Sequence, residues 1–251
     1  MLTRRLLMTA VLALCAAAQE MTVEQVLQKN LEAVGGKEAI QAINTLAIDS
    51  RMSFQAGEAP MKIRAKRPAM VRSEITVQGR DIVSAWDGAT AWMINPMMGS
   101  GEPQKMDAEM TKSISENADM DASLGALAML KKEGDKFELL GKQDVAGSPA
   151  YKVKFTRKGG EVRTYYLDAK SWLPVKVEMK VRQMGQELDI ESLPGDYRKV
   201  AGITMPFQTD QRMGGNSMML MKVEKVEVNQ PLDDALFRMP APPPKAAEQK
   251  K

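Results

Sequence analysis

Thioether is the ligating side chain this sequence carries in abundance. Of its 251 residues 21 are methionine, and Met97, Met98, Met218, Met219 and Met221 fall in two short clusters. Thioethers suit copper(I), but copper sites ordinarily add His or Cys. The chain has no histidine, and its one cysteine is Cys15. Those two scarcities remove zinc sites built from His and Cys, Ser-His-Asp and Cys-His nucleophiles and the imidazole pH switch. No metal site is therefore expected. Methionine is read as a flexible, polarizable apolar side chain, suited to filling a core or to accepting apolar ligands of varied shape.

Other chemistries need particular spacings, and the sequence does not carry them. Asp119 with Asp121 and Asp233 with Asp234 pair carboxylates, but neither pair matches a calcium loop. They read as a helix start and a solvated turn. No motif supports a glycosidase-type carboxylate pair. Gly36-Lys37 and Gly141-Lys142 lack both the upstream glycine and the following Ser or Thr of a phosphate loop. Neither S-x-x-K nor G-x-S-x-G occurs. Lys plus Arg number 35 against 32 Asp plus Glu, a net charge of +3, which is no footprint for nucleic acid. Lys62, Arg64, Lys66 and Arg67 form a basic strand face, read as solvated, with anionic headgroups or a partner as the other use. The expectation is a non-enzymatic protein without a cofactor.

The elements that must position any site begin with an export signal. Arg4-Arg5, the apolar run Leu6–Leu14 and Ala16-Ala17-Ala18 form a basic start, an apolar core and a small-residue cleavage site. Residues 1–18 are read as a cleaved signal peptide and the product as periplasmic. Twin-arginine export, and lipidation at Cys15, are the competing readings. The apolar run is too short to span a bilayer. Thr22 with Gln25 fits a capping box, and Val23, Val26, Leu27, Leu31 and Val34 recur at helical spacing up to Gly35-Gly36. A short helix, Lys37 to Ile43, follows. From Thr45 the period changes to two, with Leu46, Ile48, Met52 and Phe54 alternating with polar residues. Five strands run to Asn95, with Asp87-Gly88 as a tight turn. Residues 107–132 read as a helical insertion. About six more strands follow, with turn signals roughly every 10 residues, the spacing of an antiparallel meander. Residues 241–251, with three prolines, are expected to be disordered. Residues 19–240 are read as one domain. Such a sheet must twist and bury one face, which the N-terminal helices and the insertion can cover.

Five stretches then resemble one family. They are Gly35-Gly36-Lys37-Glu38-Ala39-Ile40; Trp86-Asp87-Gly88 with Trp92-Met93-Ile94-Asn95-Pro96; Tyr165-Tyr166-Leu167-Asp168 with Leu173-Pro174-Val175-Lys176; Gly202-Ile203-Thr204-Met205-Pro206-Phe207; and Val226-Glu227-Val228-Asn229 with Leu232-Asp233-Asp234 and Phe237. Their order resembles the bacterial outer-membrane lipoprotein-sorting proteins of the LolA/LolB/RseB-type fold. For the α+β chain of about 11 strands that the residues predict, the resemblance implies an unclosed antiparallel half-barrel, with helices lidding an apolar cavity that binds acyl chains of lipoproteins or other amphiphiles.

The functional expectation is a carrier for a lipoprotein acyl chain or similar amphiphile. Inward residues Leu46, Ile48, Met52, Phe54, Ile63, Trp86, Trp92 and Ile94 would line its cavity, and Leu124, Leu127 and Leu130 would close it. The alternative is an envelope interaction or sensor module, with a protein partner and a packed interior.

Overall fold

The computed structural model describes residues 21–241, apart from positions 98, 100, 184 and 185. The signal-peptide reading, Cys15 and the tail beyond residue 241 lie outside the described residues. Two helices open the chain, α1 (Val23–Val34) and α2 (Lys37–Gln41). Thr22 and Gln25 complete the capping box. Gly35 has φ +134°, and a Cβ there would come within 2.4 Å of the Gly202 carbonyl oxygen. Only glycine fits both the backbone angle and the close approach.

Six strands follow: β1 (Thr45–Phe54), β2 (Gly57–Lys66), β3 (Met70–Val77), β4 (Arg80–Trp86), β5 (Ala91–Ile94) and β6 (Gln104–Lys105). The insertion holds α3 (Ala108–Asn117), α4 (Met120–Ser123) and α5 (Leu127–Leu130). The chain then runs through β7 (Lys136–Val145), β8 (Ser148–Thr156), β9 (Val162–Asp168), β10 (Pro174–Gln183), β11 (Gln186–Val200), β12 (Ile203–Met213) and β13 (Asn216–Val228). All belong to one unclosed antiparallel sheet. The two strands beyond the expected 11 come from β6, a two-residue strand inside an apparent loop, and from the second run, which holds seven.

Across the sheet the order is β6-β5-β4-β3-β2-β1-β13-β12-β11-β10-β9-β8-β7. Every neighbouring pair is a hairpin except β1 with β13. The insertion therefore leaves one edge, at β6, and returns at the other, at β7. A connection between opposite edges must cross a face, and this one crosses the apolar face. Register shows which side chains share that face. Leu46 pairs with Ala65, Ile48 with Ile63 and Met52 with Ala59, while Ile48 also meets Val226 on β13.

Two buried clusters fill this inner face. One joins Val34, Ile40 and Ile43 to Leu46, Ile48, Met120, Leu124, Ile203, Met205, Phe207 and Val223. The other joins Val26 and Leu27 to Leu127, Leu130, Tyr151, Val153, Phe155, Tyr165 and Leu167. A third, on the outer face, gathers Val83, Ala85 and Trp92 with Ile94 and Met239. The C-terminal segment covers it. Phe237 is fully buried, and its carbonyl accepts from Trp92 Nε1 at 2.7 Å.

Candidate functional site: an apolar pocket beneath helix α3

α1, α2, α4 and α5 pack tightly on the inner face, but α3 does not. Asp107 caps its start by accepting from the Met110 N–H at 2.8 Å. Met110, Ile114 and Asn117 recur at helical spacing and face the sheet. Yet none of the residues of α3 is buried, and Met110 stays 40% exposed. Between this helix and strands β2 to β4 lies a cavity of about 420 Å³. Met61, Val71, Ser73 and Ser84 form its floor, and Met106, Met110, Ser113, Ile114 and Asn117 its roof. Ser73 and Ser84 are direct cross-strand partners. No lining residue is charged, so the pocket suits apolar matter with room for a few neutral hydrogen bonds.

The eleven expected lining residues distribute unevenly. Leu46, Ile48, Met52, Leu124, Leu127 and Leu130 are buried and, apart from Met52, belong to the two inner clusters, where helices already occupy the space above the sheet. Ile63 and Trp86 are half-buried; they pair with Ser73 and Val71 of the pocket floor. Phe54 is 39% exposed at the end of β1. Trp92 and Ile94 lie on the other face, because they pair with Ala85 and Val83, one residue out of phase with Trp86 and Ser84. Side chains alternate with period two, so that offset moves both residues to the outer cluster. None of the eleven lines the pocket. Its methionines and serines sit on β2, β3 and β4, in α3 and just before it. The signals available were the period-two alternation of Met61 with Ile63 and the helical spacing of Met110 and Ile114.

Three polar clamps hold the other helices. Asn30, fully buried, donates from Nδ2 to the Trp172 carbonyl at 3.0 Å and accepts from the Leu127 N–H at 2.9 Å. It thus ties α1 to α5 and to the β9–β10 turn. Arg67 departs from the solvated basic face expected of it. It donates to the carbonyls of Ile43 (2.7 Å) and Ile40 (3.0 Å) and to Asp121 Oδ1 (2.6 Å). β2 ends at Lys66, so Arg67 escapes the strand alternation and turns toward the helices. Of its basic neighbours, Arg64 pairs with Asp49 at 2.7 Å and Lys66 with Asp234 at 2.6 Å. The hydrogen bond and charge of Lys66 hold the Asp234 carboxyl below its ordinary value. Asn229 accepts from the Asn44 N–H at 2.7 Å and donates to the Ala42 carbonyl at 3.0 Å, joining the end of α2 to the end of β13.

On the outer face, Lys176 bridges Glu178 at 2.7 Å and Glu191 at 2.8 Å. Burial opposes its charge, but the hydrogen bonds and charges of the two carboxylates prevail and raise its pKa. This network satisfies itself. Among the described residues, no group of three or more acidic, His or Cys side chains is placed to hold a metal. Among them, too, no helix is long and apolar enough to cross a membrane.

The sequence matches no family model and no curated protein. The fold has solved counterparts. A LolA superfamily protein from Nitrosomonas europaea superposes with a TM-score of 0.57 at 13% identity, over 87% of this chain and 98% of that one. A DUF1329 family protein from Desulfovibrio piger gives 0.58 at 12% identity, over 87% and 98%. An outer membrane lipoprotein-sorting protein domain from Vibrio parahaemolyticus, itself described as putative, gives 0.54 at 12% identity, over 84% and 97%. The chain has a LolA-like fold.

Proposed function

We propose that this LolA-like chain is an exported, non-catalytic carrier for an acyl chain, borne by a lipoprotein or another amphiphile of the cell envelope. The observation that carries the reading is the uncharged cavity of about 420 Å³ between α3 and the sheet. Its size falls within the roughly 300–1,000 Å³ of small-molecule sites. Its roof is a helix without a buried residue, which can lift at small cost because little apolar area is lost when it does. Burial of methylene groups supplies the driving force, at about 0.8 kcal/mol each. A chain of some 14 carbons contributes on the order of 10 kcal/mol before the costs of association.

The fold is compatible with this use, and the solved LolA superfamily and lipoprotein-sorting structures are the context that suggests it. Residues 1–18 read as the export signal, which puts the work in the periplasm. Native mass spectrometry of protein purified from its own periplasm, with parallel lipid extraction, tests the proposal. A co-purifying acylated species is the expected result. Failure of delipidated protein to bind any acylated ligand saturably removes the basis of the reading.

A second reading, an envelope interaction module, rests on one observation. Residues of α1, α2, α4 and α5 are buried against the inner face in two apolar clusters, so these helices serve there as a core and not as a lid.

A further inference from the structure

The β8–β9 hairpin holds two arginines and one carboxylate between them. Arg163 Nε donates to Glu161 Oε1 at 2.7 Å. Arg157 Nε lies 3.2 Å from Glu161 Oε2, yet it is buried and its N–H makes no hydrogen bond. The three side chains are only 13% (Arg157), 24% (Arg163) and 25% (Glu161) exposed. Apart from the Tyr165 side chain, which interacts with Arg163, their neighbours include apolar groups. The Arg157 guanidinium stands 5.5 Å from the centre of the Phe155 ring, and Arg163 is the cross-strand partner of both Phe155 and Met179.

One carboxylate between two guanidiniums leaves a positive charge uncompensated in a site that excludes most water, an arrangement that costs stability unless an anion arrives. The other charges nearby do not supply one. Asp135 is turned to the backbone N–H groups of Lys132 and Lys158, at 3.1 and 2.9 Å. Glu116 lies 4.0 Å from Lys112. Lys112 itself belongs to α3, and its Nζ stands 3.7 Å from the place a side chain on Gly159 would take. The roof of the pocket thus brings a further cation to the same hairpin. Both Nε groups turn to the one Glu161 carboxylate, and a guanidinium fork is the geometry that takes phosphate oxygens in pairs, so a phosphate here would compete with Glu161.

We propose that Arg157, Arg163 and Lys112 form a binding site for a phosphate group. In the carrier reading, on which this part rests, that group is the headgroup of an amphiphile whose chain lies beneath α3. The same chemistry serves inorganic phosphate, so the test has two arms. In the first, thermal unfolding of the full chain is followed against inorganic phosphate, with chloride at matched ionic strength as control. A saturable rise in Tm with phosphate alone is expected. It should vanish in Arg157→Gln/Arg163→Gln. Glu161→Gln removes the competing carboxylate and should tighten phosphate several-fold, a gain that misfolding cannot produce.

In the second arm, a monoacylglycerol and its 3-phosphate of the same chain length compete with a fluorescent apolar probe. The phosphate form should bind about tenfold tighter, the double variant should abolish that difference, and the neutral lipid should be unaffected. A response to inorganic phosphate without discrimination between the lipids supports the site and assigns it to the free anion. Absence of both effects while the probe still binds overturns the site and leaves the carrier reading standing. Failure of the probe to bind at all strikes the carrier reading, while the first arm still reports on the arginines.

Discussion

At the scale of single residues, the side chains with most to lose are the polar ones buried among helices. Asn30 is inaccessible to water and makes both its bonds to backbone. Asn30→Ala leaves the Leu127 N–H and the Trp172 carbonyl without partners in a buried place. Each unmet group costs about 1–3 kcal/mol. A loss of about 2–4 kcal/mol in denaturant unfolding is expected, and a loss under about 0.5 kcal/mol would show that α1 is not held there. Arg67 acts differently, because it makes three bonds to two helices from a residue about a quarter exposed. Arg67→Met should cost about 1–3 kcal/mol and speed hydrogen exchange in residues 37–43 and 120–130 before it does so in the strands. Trp92→Phe keeps most of the apolar volume and removes the 2.7 Å bond to the Phe237 carbonyl. About 1 kcal/mol and faster exchange around residues 232–239 are expected, with no change in ligand binding, since Trp92 lies on the outer face.

At the scale of elements, α3 stands apart. A helix with no fully buried residue opens locally at low free energy, so its amides should exchange earlier than those of α1. Met110 tests its role. It is 40% exposed and lines the pocket, so Met110→Asp should leave unfolding stability within about 0.5 kcal/mol while weakening binding of an apolar probe at least tenfold. Unchanged probe binding would place the ligand elsewhere. The strands behave in the opposite way. The β1–β13 pairing joins residues far apart in the chain, from Leu46 with Val228 to Ser53 with Leu220, and no local hairpin signal announces it. The meander does not require it, because two runs flanking an insertion could equally join at β6 and β7; the insertion's crossing of the apolar face puts those two strands at opposite edges and brings the first and last strands, β1 and β13, together.

At the scale of the whole molecule, the composition sets the pH response. With no histidine, no imidazole titrates near neutrality, and stability should be nearly flat from about pH 6 to 9. Several carboxyls are held below their ordinary values. Asp168 is lowered chiefly by the Ser171 N–H. Asp210 is lowered by Ser217 and Arg212 against an opposing burial effect. A carboxyl lowered in the folded state contributes stability that is full above its unfolded pKa, about 4, and fades as pH falls through the folded value. At the alkaline end the sign is set by two buried tyrosines. Burial raises Tyr165 and Tyr197, so the unfolded chain loses those protons first and stability should fall above about pH 10. Unfolding followed from pH 3 to 11 checks both limbs, and a step near pH 6.5 would contradict this account.

What the residues alone determined follows from local geometry. The capping box at Thr22, the Gly35-Gly36 stop, the strand alternation from Leu46 and the Asp87-Gly88 turn each need only a few neighbouring residues. They suffice for element types, the helical insertion and the antiparallel meander. The resemblance stretches are also explained. Gly35 packs on Gly202, Asn229 ties β13 to α2, and Phe237 closes over Trp92, so turns that look weak one by one are the points where helices and C-terminus dock on the sheet. The tertiary structure decided which face each strand presents and where packing stops. A strand alternates whichever side is inward, so Trp86 and Trp92 look equivalent in sequence and fall on opposite faces. Filled core and open pocket are likewise built from the same apolar residue types. Only the stand-off of α3 from β2, β3 and β4 separates Met61 and Met110, which line a cavity, from Leu46 and Leu124, which fill one.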